Sequence, residues 1–172
     1  MPLLDSLLNA SPISRVRRNH GLEHATLHVL SHKYPHRPLA GHSDIGGFWI
    51  LGNVDIEELR DSVEEALSRM QNGEHSLSVH PNCGTNFVAA GTLAGAAAWV
   101  GMLGSGRKLG EKFERLPLVI GLATLALIFG QPLGLALQAN VTTSGYPGDM
   151  RVTEIQVSQR GRVRAHRVIT MG

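Results

Sequence analysis

His80-Pro81-Asn82-Cys83-Gly84-Thr85 opens directly onto a run with no Asp, Glu, Lys or Arg, residues 86–106. The reading of that junction divides the chain. A second charge-free run, residues 116–146, follows a short stretch containing Arg107, Lys108, Lys112 and Arg115. Charged residues make up 17% of the 172, below the roughly 25% of ordinary globular chains, and the deficit falls on these two runs. Residues 87–104 and 116–137 each predict an apolar helix of membrane-crossing length, the second interrupted by Gln131-Pro132. Gly91-xxx-Gly95 and Gly130-xxx-Gly134 put small residues at helix-packing spacing. The pattern predicts a two-helix transmembrane hairpin over residues 86–138.

Working outward, Ser11-Pro12-Ile13-Ser14 is a helix start, with a hydroxyl cap and a proline at the first turn. The helix should end near Ser31, before Tyr34-Pro35. Ile45 to Leu51 reads as a strand. Asp55 caps an amphipathic helix running to about Gln71, with Ile56, Leu59, Val63, Leu67 and Met70 on one stripe. Ser76 to Val79 reads as a second short strand, and a strand–helix–strand unit of this length favours parallel pairing with a right-handed crossover. His42-Ser43-Asp44 reads as a Gly-flanked turn that could support a nearby site. The tail alternates at Val152, Ile155 and Val157, turns at Ser158-Gln159-Arg160-Gly161, and resumes at Val163. The expected fold class is therefore α+β: a small sheet with two helices, interrupted by the transmembrane hairpin. Residues 1–85 form a motif-bearing domain, and the β-hairpin of residues 139–172 joins it.

Composition narrows the chemistry. The net charge is +2, and the arginines form two clusters, Arg15-Arg17-Arg18 and Arg160-Arg162-Arg164-Arg167, neither interleaved with aromatics. With four Phe, two Tyr and two Trp in all, nucleic acid is not an expected partner; solvated faces or anionic lipid headgroups are. One cysteine excludes an intramolecular disulfide. Residues 1–10 lack the basic and apolar regions of a signal peptide.

His20-Gly21-Leu22-Glu23-His24 supplies the other half of the chemistry. Two histidines four apart share one helical face, the spacing one Zn²⁺ can bridge. His28 and His32 continue the stripe, as a merely polar face would. The order His-x-x-Glu-His is that of the inverzincin peptidases, where the glutamate is the general base. His80-x-x-Cys83 is a turn-sized chelate. The expected metal ligands are His20, His24, His80 and Cys83, with zinc the expected ion and Glu23 the candidate catalytic base. A closed four-ligand shell would be structural; an absent or labile ligand would leave room for water. Gly21 costs about 1 kcal/mol in a helix relative to Ala, which implies a close approach there.

These two motifs resemble those of the YqhQ-like group of uncharacterised bacterial membrane proteins. The matching residues are His20, Gly21, Glu23 and His24, then His80, Pro81, Cys83, Gly84 and Thr85. The 46–79 strand–helix segment between them departs from that pattern. The resemblance implies a membrane protein with a functional His/Glu/Cys cluster and implies no reaction.

Three functions follow as expectations: an integral membrane metal-binding protein, a membrane-bound metallohydrolase or peptidase using Glu23, and an accessory factor of a larger membrane complex. The expected partners are the lipid bilayer and a further copy or larger complex. Multi-pass insertion in the cell membrane with cytoplasmic N- and C-terminal parts suits a reduced cysteine, although the basic 107–115 stretch would favour the reverse orientation.

Overall fold

A computed structural model describes residues 2–160 and 163–172. Two helices come first, α1 (Pro2–Asn9) and α2 (Ile13–Lys33). Strands β1 (Ala40–Asp44) and β2 (Gly47–Leu51) lead to α3 (Ile56–Gln71). A 3₁₀ turn, His75–Ser78, precedes α4 (Gly84–Met102) and α5 (Leu109–Leu137). A π turn, Gln138–Thr142, then leads to β3 (Arg151–Arg160) and β4 (Val163–Met171). These elements form two compact units, residues 1–80 with 139–172, and residues 81–138.

In the first unit the sheet order is β1-β2-β4-β3, antiparallel throughout. β2 pairs with β4 from the far end of the chain, setting Phe48 opposite Val168 and Ile50 opposite His166. The parallel pairing expected from residues 45–51 and 76–79 is thereby corrected. Residues 75–78 curl into the 3₁₀ turn, and β4 occupies the place beside β2. His42-Ser43-Asp44 is not a turn either, because these residues belong to edge strand β1 and pair with Phe48 and its neighbours.

Helix α2 buries Leu22, Ala25, Val29 and Leu30 along one stripe, the i, i+3, i+7, i+8 pattern of a core-facing helix. α3 adds Leu59, Val63, Ala66 and Met70, and the sheet adds Phe48, Ile50, Ile155 and Val168. Each of the larger side chains contributes about 1.5–3 kcal/mol on full burial. Asp55 and Glu58 form a reciprocal capping box at the start of α3, which satisfies two otherwise orphaned backbone donors.

The second unit consists of α4 and α5. Among the described residues one helix is long and apolar enough to cross a membrane, α5 with its π-turn extension, at mean hydropathy 2.0. The expected two-helix transmembrane hairpin, and with it multi-pass insertion, is therefore corrected. α4 is charge-free, but about half of it is Ala and Gly and its first turn holds Thr85 and Asn86, which dilutes large apolar side chains such as Phe87, Leu93 and Trp99 below what insertion needs. Pro132 does not break α5, which continues through both Pro117 and Pro132. Within the pair, methyl groups at Gly130 and Gly134 would press on Ala90 and Asn86, whereas Gly91 and Gly95 face open space. Only one of the two small-residue patterns thus serves helix packing.

Candidate metal centre

The polar stripe of α2 is fastened by backbone carbonyls from distant parts of the first unit. His20 Nδ1 lies 3.0 Å from the carbonyl oxygen of Thr142. His24 Nδ1 lies 2.7 Å from that of Ser78. A carbonyl oxygen can only accept, so each Nδ1 carries a proton and donates it, and in the neutral ring Nε2 is then the nitrogen with the lone pair. Metal-ligating histidines are held in this way: the second ring nitrogen is tied to a carbonyl or carboxylate that fixes tautomer and orientation. The two rings stand 4.4 Å apart in an edge-on arrangement.

One ligand atom each from His20, His24 and Cys83 lies within 4.8 Å of the others, close enough to hold one metal ion. His24 and Cys83 are buried and His20 is half-buried. Two imidazoles and a thiol suit zinc and other borderline first-row ions, and three protein ligands are one short of a closed tetrahedral shell.

The glycine of the first motif has a packing reason. A methyl group on Gly21 would overlap the carbonyl oxygen of Ser144. The segment it admits is also gripped by Arg17, whose guanidinium donates to the carbonyls of Leu8, Asn140 and Thr143 at 3.2, 3.1 and 3.0 Å. The Ser144 amide donates back to the Arg17 carbonyl at 2.9 Å. This stitching presents Thr142 to His20.

Glu23 is 4% exposed. Its carboxyl group occupies the space left by the absent side chain of Gly41, where a methyl group would overlap Oε1. Ser43 hydrogen-bonds to it, while Oε2 is buried without a hydrogen-bond partner. Burial pushes the carboxyl pKa up to about 7, partly offset by the charge of His20 and by the Ser43 bond. The group therefore stands near half-ionisation at neutral pH.

His80 lies beside two other imidazoles, its ring 5.7 Å from that of His24 and 4.7 Å from that of His28. Burial, with His28 and His24 adjacent, pushes its pKa down to about 4. His28 donates from Nε2 to the Val79 carbonyl at 2.8 Å. His32, the last of the stripe, is exposed. Local spacing therefore identified His20 and His24 but missed the roles of Gly41 and Ser43. The only trace of those two was the Gly-flanked run at residues 42–44.

A family profile described as a domain of unknown function, DUF6391, matches residues 15–155. The chain belongs to this family. The matched span takes in His20, Glu23, His24, His80 and Cys83 together with α4 and α5. An uncharacterized protein of Picosynechococcus sp. is 34% identical over 156 residues, covering 77% of this chain and 76% of that protein. No solved structure matches the chain. Neither match links the chain to the YqhQ-like group, so that resemblance rests on the two motifs.

Proposed function

We propose that this chain is a membrane-associated metal-binding protein that holds one zinc-like ion through His20, His24 and Cys83. The observation that carries this reading is the fastening of both imidazoles by carbonyls. His20 and His24 each spend Nδ1 on a backbone oxygen, which leaves Nε2 of the neutral ring as the ligand atom, and one ligand atom of each lies within 4.8 Å of the other and of that of Cys83, the only cysteine in the chain. Metal analysis of the purified protein should find about one equivalent of ion, lost in Cys83→Ala and in His24→Ala. A metal-free protein, or one whose content survives both substitutions, would reject the reading.

The membrane part rests on α5. Its most apolar window is only 11% buried, and Ile120, Ile128 and Phe129 are exposed. Lipid is the partner this surface suits. Residues 1–80 and 139–172 share one sheet and so lie on one side of the bilayer, which requires α5 to enter the lipid without carrying the chain across it; we assign that side as cytoplasmic because a thiol ligand suits a reducing compartment. The protein should remain with the membrane fraction after an alkaline carbonate wash, and Ile128→Lys with Phe129→Lys should release it. Recovery of the unaltered protein in the soluble fraction would reject lipid as the partner.

One observation favours a second reading, metal-dependent hydrolysis. Glu23 has a buried carboxyl oxygen with no partner and a pKa near neutrality, the tuning expected of a general base. A bound ion would lower the pKa of a water in the open fourth position, and Glu23 would accept the proton. Glu23→Gln should then abolish turnover of a hydrolysable substrate while metal content stays at one equivalent. Undiminished turnover would remove Glu23 as the base.

A further inference from the structure

A buried ion needs a way in, and the stripe of α2 extends beyond the two residues assigned to the centre. His28 lies one turn past His24, and His80 lies against both. The ring centroids form a continuous series, His20 to His24 at 4.4 Å, His24 to His80 at 5.7 Å and His80 to His28 at 4.7 Å. Accessibility changes along the series. His24 is 2% exposed, whereas His20, His28 and His80 are half-buried.

We propose that His28 and His80 form an outer metal-binding station that captures a divalent first-row cation and passes it to the inner centre of His20, His24 and Cys83. This inference rests on the metal-binding reading of that centre.

The tautomer of His28 supports it. Its Nε2 donates to the Val79 carbonyl, so in the neutral ring Nδ1 is the nitrogen with the lone pair. The carbonyl it uses belongs to the residue before His80, so a single hydrogen bond sets the distance between the two rings. A purely packing role for His28 would need only that bond. It would not need a second imidazole 4.7 Å away that itself lies beside His24. The two stations also differ in donor chemistry. The inner one contains a thiolate and should hold borderline or soft ions strongly. The outer one offers imidazole nitrogen alone and completes its shell with water, which suits transient capture. Both His24 and His28 lie next to His80, so an ion can acquire an inner ligand before it loses its last outer one.

Cobalt(II) added to the metal-stripped full-length protein separates the two stations, because only an ion on Cys83 gives thiolate-to-cobalt charge-transfer absorption. The unaltered protein should take up two equivalents, the tighter one carrying that absorption and the weaker one lacking it. His28→Gln keeps an amide N–H for the Val79 carbonyl. It should take up one equivalent with the full charge-transfer signal, reached roughly tenfold more slowly or worse, by analogy with the 10–100-fold effects of residues around metal sites. His80→Gln should behave alike, and the thermal midpoint of each variant reports whether the fold is kept. Unchanged stoichiometry and unchanged loading rate in a folded His28→Gln would overturn the outer station and leave the inner centre standing. Failure of the unaltered protein to bind cobalt, or a charge-transfer band that survives Cys83→Ala, would overturn both.

Discussion

Replacing Glu23 by Gln tests the physical state of the centre without any knowledge of substrate. In the metal-stripped protein the Glu23 pKa is raised from 4.5 to about 7, with burial the leading cause. The folded state therefore binds a proton that the unfolded state has already released, and the corresponding stability is complete below about pH 4.5. It is lost as pH rises through about 7. A shift of this size corresponds to roughly 3 kcal/mol at 1.36 kcal/mol per pH unit, and discounting for solvent is small because the side chain is 4% exposed. Two histidines pull the other way. His80 and His166 have lowered pKa values, so their stability is present above about pH 6.5, the ordinary value, and is lost as pH falls. The raw curve of the unaltered protein thus mixes opposed terms. The difference between it and Glu23→Gln isolates one. Denaturant unfolding in mild detergent with a chelator, at intervals from pH 4.5 to 8.5, should show Glu23→Gln gaining roughly 3 kcal/mol relative to the unaltered protein across that range. Loading with zinc should shrink this gain, because a nearby cation favours the carboxylate. A pH-independent difference in the stripped protein would refute the reasoning, since it would mean that Glu23 ionises as it does in water.

Gly41→Ala should shrink the same pH-dependent difference. The new methyl would overlap only the flexible end of Glu23 and push the carboxyl toward water, so a proton titration of the Glu23 carboxyl by NMR should find its pKa closer to 4.5. Gly21→Ala presses instead on the Ser144 backbone. Despite the helix-propensity gain of about 1 kcal/mol, it should lower stability by about 1–3 kcal/mol as overpacked cores do, and a stabilised variant in denaturant unfolding would contradict the close approach. His166 is fully buried in the sheet, and burial lowers its pKa, partly offset by the backbone of Ile50 and Val54. His166→Leu should therefore flatten the loss of stability below about pH 6.5 in denaturant unfolding; an unchanged slope would show that the imidazole ionises in the folded protein as it does in water.

How much was legible in advance differs between the parts. The capping box of Asp55 and Glu58, the amphipathic stripe of α3 and the helical spacing of His20 and His24 are all local, and each can be read within a few residues. The same local reading overstated α4, because freedom from charge is visible in a sequence at a glance, whereas the dilution of its large apolar side chains by Ala, Gly, Thr and Asn has to be weighed. It also placed a strand at residues 76–79, where pattern alone cannot tell a short strand from a 3₁₀ turn.

By itself, then, the sequence determined the presence of α2, α3, α4 and α5, though not of α1, and the residue types able to bind a metal. Tertiary structure decided what those residues can do. The Thr142 and Ser78 carbonyls that orient His20 and His24 lie 122 and 54 residues away along the chain. The space for the Glu23 carboxyl is the missing side chain of Gly41 on another element, and the partner of β2 is the last strand of the chain. Periodicity describes a residue's place on its own element. Tautomer, burial and proton affinity are set by whatever packs against that element, and in this protein those neighbours range along the chain from Gly41 to Ser78 and Thr142.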